Sequence, residues 1–171
     1  MIDVPGLARF EIAPHHCFAC GTLNTSGMHL DLHIERGRSW VELAYEPRFQ
    51  GWDGIAHGGI LTTILDEVMA WSLVGEDHWG LTARLAVDFK RPVSVGQAIR
   101  GEGWIARSRR RIFDTEGTIT DTATGDILVT AAGVYLAADD ARKRELRQRY
   151  GWRALEAGGA ADDMPDTVDR A

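Results

Sequence analysis

The stretch from Ala56 to Trp71 reads as one helix with almost no polar face, and the rest of the chain has to be arranged to cover it. Ile60, Leu61, Ile64, Leu65, Val68 and Trp71 form an apolar stripe at helical spacing, and Thr62, Thr63, Met69, Ala70 and Leu73 leave the opposite side apolar or nearly so. Such a helix is expected to be enclosed. Asp66 sits in its middle, where an ionised carboxylate is expensive unless it is paired with a neighbour or has chemical work to do. The helix opens on Gly58-Gly59, so its first N–H groups are free of obstruction and carry the positive end of the macrodipole. Those are the requirements of a site for a developing oxyanion.

The flanking sequence supplies strands. His29 to Glu35 and Trp40 to Tyr45 alternate with period two about Arg36-Gly37-Arg38, which predicts a hairpin. Pro47 to Ile55 reads as the loop leading to the helix. Beyond it come extended segments at Leu81–Phe89, Ala98–Ala106, Ile112–Asp121 and Asp126–Leu136. Two strands, a helix and four strands do not alternate as a parallel sheet requires. They predict an α+β fold, an antiparallel sheet wrapped round one central helix. The expected division is an N-terminal arm or lid over 1–28, the main domain over 29–138, a charged helix over 139–152 and a flexible tail over 153–171.

His57-Gly58-Gly59 at the start of a central helix, with Asp66 nine residues after the His, resembles the hotdog-fold acyl-CoA thioesterases of the phenylacetate-pathway and hydroxybenzoyl-CoA type. The approach from Phe49 to Ala56 is similar to one bacterial branch, and the resemblance extends from about Cys17 to about Leu136. It implies the hotdog fold, thioester hydrolysis and a dimer that often pairs into a tetramer. It also implies that Thr82 lies near the attacking water, where an ordinary strand threonine is the alternative. Gln50 is the nearest match to the Asn or Gln that relatives carry before this motif.

Gly58 and Asp66 are eight residues apart, ~12 Å along a helix axis, too far for one carbonyl to touch both within one chain. If both act on the same carbonyl, they come from different subunits across a two-fold axis. On this reading the Gly58 N–H polarises a thioester carbonyl, with Gly59 beside it. Asp66 activates water as a general base, or attacks to give a mixed anhydride. His57 either holds the loop or carbonyl or serves as a cap partner. Trp52, Met69 and Leu73 are candidates to line an acyl pocket. Arg107, Arg109, Arg110 and Arg111 form either a phosphate-binding turn for coenzyme A or a solvated hairpin end. Glu67 points ~100° away from Asp66 and is expected to be structural.

A net charge of −6 disfavours nucleic acid as a partner. No apolar run reaches membrane-spanning length and no secretory signal is evident, so a cytoplasmic protein is expected. His15-His16-Cys17-Phe18-Ala19-Cys20-Gly21 offers four metal-ligand side chains, yet no second Cys or His pair follows at zinc spacing, so neither metal nor cofactor is expected. The alternatives to a thioesterase are an acyl-thioester dehydratase or hydratase using His57 and Asp66, and a non-catalytic acyl-CoA sensor.

Overall fold

The computed structural model describes residues 9–151 and 153–155. Its elements are β1 (Arg9–Glu11), β2 (His33–Glu35), β3 (Arg38–Ala44), β4 (Gln50–Trp52), β5 (Ile55–Ala56), α1 (Gly58–Val74), β6 (Gly80–Phe89), β7 (Ala98–Arg109), β8 (Ile112–Asp121), β9 (Ile127–Ala137), α2 (Asp140–Arg149) and β10 (Arg153–Leu155). Six strands form one antiparallel sheet in the order β2-β3-β7-β8-β9-β6, with α1 lying along it. This is the expected α+β hotdog arrangement.

The core is the layer between α1 and the sheet. Leu61, Ile64, Leu65, Val68, Met69 and Leu73 are buried on the helix, and Val41, Ile99, Phe113, Ile119, Val129 and Tyr135 meet them from the strands. Side-chain-free positions let the helix backbone come close. A Cβ on Gly103 would lie 2.6 Å from the Met69 nitrogen, and one on Gly101 would lie 2.6 Å from Ile64 Cγ2. The Ser39 hydroxyl donates to the Val68 carbonyl and anchors the helix to β3.

Several expectations are corrected. Among the described residues, the sheet covers α1 on one side only. Ile60, Thr63, Glu67, Ala70 and Trp71 stay half-exposed, roofed in part by the segment around Cys17 and Cys20. The hairpin before the helix begins at His33 rather than His29, because His29 adopts φ 52° and the chain up to it is irregular. The expected loop from Pro47 to Ile55 contains a 3-10 turn, Pro47–Phe49, and the β4–β5 pair. At the C-terminus, Asp140–Arg149 is helical and residues 153–155 pair with β1 instead of trailing free. The remainder of the expected tail, and the first eight residues of the arm, lie outside the described residues.

β6 forms the sheet edge opposite β2. It is ten residues long, and Leu81 and Phe89 on it are 82% and 54% exposed.

Candidate active site

Asp66 lies on the flank of α1 that faces β6 and β9. Its Oδ1 accepts hydrogen bonds from Thr82 Oγ1 at 2.7 Å and from the Tyr135 hydroxyl at 2.8 Å. One carboxylate oxygen therefore takes two donors, which fixes the plane of the group. Among the described residues no donor engages Oδ2. Burial, with Asp66 beside it, pushes the Tyr135 phenol well above its ordinary pKa, so this hydroxyl remains a donor.

Thr82 reaches Asp66 because of a β-bulge. Leu85, Val87 and Phe89 pair with Gly133, Ala131 and Val129 in regular register, and the register shifts between Thr82 and Arg84. The extra residue, Ala83, returns the Thr82 side chain to the helix side, where unbroken alternation would have turned it out. Tyr135 was missed by sequence reasoning. Its signal was its place in the inward series Val129, Ala131, Gly133, Tyr135, where a phenol brings a polar tip into an apolar register.

At the start of α1 the His57 side chain is the N-cap, its Nδ1 accepting from the Gly59 N–H at 2.9 Å. The Gly59 donor is thereby used. The Gly58 N–H has no hydrogen-bond acceptor among the described residues. Tyr45 pins the approach, accepting from the His57 N–H at 3.1 Å and donating to the Phe49 carbonyl at 2.6 Å. Beside Gly58 is a cavity of about 220 Å³ walled by Ile55, Leu61, Phe89 and Val93. The Phe89 ring closes on the glycine, since a Cβ there would sit 3.2 Å from it.

Four residues singled out by the sequence make other contacts in this structure. Gln50 accepts from the Gly54 N–H at 3.1 Å, so its side chain closes the β4–β5 turn. Trp52 is 85% exposed on β4. Met69 and Leu73 are fully buried under the sheet and line neither the cavity beside Gly58 nor the cleft beside Glu67. The arginines do converge at the β7–β8 turn. Arg107 pairs with Asp114 at 2.8 Å, Arg109 lies 3.8 Å from the same carboxylate, and Arg110 takes φ 54° in the turn itself. Phe113, Tyr135 and Thr82 are register neighbours across three strands, so the turn lies roughly 10 Å beyond them, at the same end of the sheet as the Asp66 cluster.

Glu67 faces away from Asp66, as expected from helix geometry. Its Oε1 accepts from Trp71 Nε1 at 2.7 Å, and burial pushes its carboxyl up to about 7. It lies in the wall of a separate cleft of about 870 Å³ that also takes in Cys17, Cys20, Trp79 and Arg111, and to which Asp66 does not contribute.

Comparison with known proteins bears on the fold. Residues 53–127 match the model of the thioesterase superfamily. A thioesterase superfamily protein of known crystal structure superposes with a TM-score of 0.65 at 22% identity, over 71% of this chain and 60% of its own length. A hypothetical thioesterase from Streptococcus pneumoniae, crystallised with coenzyme A, gives a TM-score of 0.59 at 15% identity, over 76% of this chain and 86% of its own. The PaaI protein of the Escherichia coli phenylacetic acid degradation operon gives 0.58 at 14%, over 61% and 75%. At these identities the likeness is one of fold. The chain thus spans less than two thirds of the first of these structures and most of the other two. None of the curated proteins matches the sequence.

Proposed function

We propose that this chain, with thioesterase-superfamily sequence on a hotdog fold, hydrolyses acyl-CoA thioesters, with Asp66 as the general base or nucleophile. The observation that carries the reading is the carboxylate itself. It is held on an apolar helix by the Thr82 and Tyr135 hydroxyls on one oxygen, with the other left for water or substrate. The Gly58 N–H, unengaged at the head of the same helix, is the oxyanion donor. His57 shapes that donor by capping the helix, and so acts as a positioning residue.

Since Gly58 and Asp66 are ~12 Å apart on one helix, the working site combines Gly58 of one subunit with Asp66 of another. The half-exposed side of α1 and the edge of β6, which pairs with no further strand among the described residues, support a two-fold partner there. The arginine turn, at the Asp66 end of the sheet, is suited to the phosphates of coenzyme A.

Asp66→Asn keeps shape but removes the base. It should lower kcat by about 10²–10⁴-fold while circular dichroism stays unchanged. Near wild-type release of free thiol by a folded variant would exclude Asp66 from the chemistry. In the same assay, Arg109→Ala with Arg110→Ala should raise KM for acyl-CoA about tenfold and leave KM for a pantetheine thioester unchanged. Equal effects on the two substrates would reduce the turn to a solvated hairpin end.

A further inference from the structure

Sequence spacing alone argues against a metal, because the Cys17-x-x-Cys20 knuckle has no second Cys or His pair after it. The fold supplies the missing ligand from the central helix. Cys17 Sγ lies 3.9 and 4.0 Å from the two oxygens of Glu67, and the ligand atoms of Cys17, Cys20 and Glu67 all fall within 4.8 Å of one another. Tetrahedral zinc with sulfur at ~2.3 Å and oxygen at ~2.1 Å sets its ligand atoms about 3.6 Å apart, so small side-chain adjustments close the group on an ion.

The loop that carries the two sulfurs is tightly wound. The Gly21 N–H donates to the Cys17 carbonyl at 3.0 Å. Gly21 completes the tight turn, since a Cβ there would lie 2.4 Å from the Cys17 nitrogen and 2.4 Å from the His15 carbonyl oxygen. His15 fits a supporting role rather than a ligand. Its Nδ1 accepts from the Cys17 N–H at 3.3 Å, so in the neutral ring the hydrogen is on Nε2, which lies 3.9 Å from Cys20 Sγ. Glu67 forms no ion pair among the described residues. Its two contacts in this cluster are the Trp71 indole and the thiol.

From this arrangement we infer that Cys17, Cys20 and Glu67 bind a thiophilic divalent ion, Zn²⁺, with the fourth position open to the 870 Å³ cleft that all three side chains line. Two sulfur donors with one carboxylate select zinc over Mg²⁺ or Ca²⁺. The ion takes both sulfurs as thiolates and ties the N-terminal arm to α1, one residue from Asp66. The assignment does not depend on the thioesterase reading, and its test does not use activity.

The full chain, purified under reducing conditions and dialysed, should retain one zinc per chain. Replacement by Co²⁺ should give a near-ultraviolet sulfur-to-cobalt charge-transfer band and intense visible bands of a tetrahedral site. Cys20→Ser should lose the metal and Glu67→Gln should weaken its binding at least about tenfold. His15→Phe should weaken it by about 10–100-fold, the usual effect of removing a supporting hydrogen bond. His16→Ala, on an exposed neighbour, should leave it unchanged. If the variants do not fold, the wild-type chain still decides: reaction of its thiols with a thiol reagent in the metal-free chain should be slowed by stoichiometric Zn²⁺. A reduced chain that shows neither the cobalt band nor protection of its thiols overturns the site. So does a folded Cys20→Ser variant with undiminished metal.

Discussion

At the scale of single residues, the candidate site is decided by how hydrogen-bond donors are spent. His57 Nδ1 takes the Gly59 N–H and leaves that of Gly58, and Thr82 and Tyr135 together take one oxygen of Asp66 and leave the other. Tyr135→Phe removes one donor without disturbing the ring packing beneath α1. Because a hydrogen bond to a charged group is worth about 1.5–3 kcal/mol, a misaligned Asp66 should lower kcat about tenfold or more, with KM nearly unchanged. Steady-state kinetics on the folded variant check this. If KM rises instead and kcat holds, Tyr135 contacts substrate and does not position the base.

Among the elements, α2 is held by charge where α1 is held by burial. Asp77, just beyond α1, accepts from Lys143 and from Arg147 on α2. Burial alone would raise the Asp77 pKa, but the two cationic donors outweigh it and hold it below the usual carboxylate value. A folded-state pKa below the unfolded one stabilises the protein above the unfolded value, near 3.9, and that stabilisation is lost as pH falls through the folded value. Asp77 is half-exposed, so screening keeps the effect small. Wild type should therefore melt about 1–3 °C above Asp77→Asn at pH 6, and the gap should close below about pH 3. A gap that persists at pH 2 means that Asp77 acts through packing.

For the whole molecule, the ~12 Å between Gly58 and Asp66 makes the subunit arrangement testable. Gly58→Pro removes the oxyanion donor at a position where a first helical turn tolerates proline, and Asp66→Asn removes the base. Each homodimer should be nearly inactive. A mixed dimer would carry one site with both defects and one with neither. Subunit exchange between the two dead variants should thus restore up to one intact site per heterodimer. Confirmed heterodimers that stay inactive, with both variants folded, would mean that Gly58 and Asp66 do not meet across an interface.

The sequence by itself determined the elements and the motif. Local periodicity set α1 and the six principal strands within a few residues, because burial on one face writes a period into the chain, and the glycines after His57 marked a helix start by their chemistry alone. The spacing of His57, Gly58, Gly59 and Asp66 carried the family likeness. What only the tertiary structure decided were relations between distant segments. The bulge that turns Thr82 inward depends on how β6 registers with β9, and no period within β6 records it. Tyr135 is 69 residues from Asp66 in sequence, and Cys17 is 50 residues from Glu67. Met69 was read as a pocket residue because an apolar side chain looks the same in sequence whether it faces a ligand or the core; here it lies under the sheet, where Gly117 and Gly133 leave room for it.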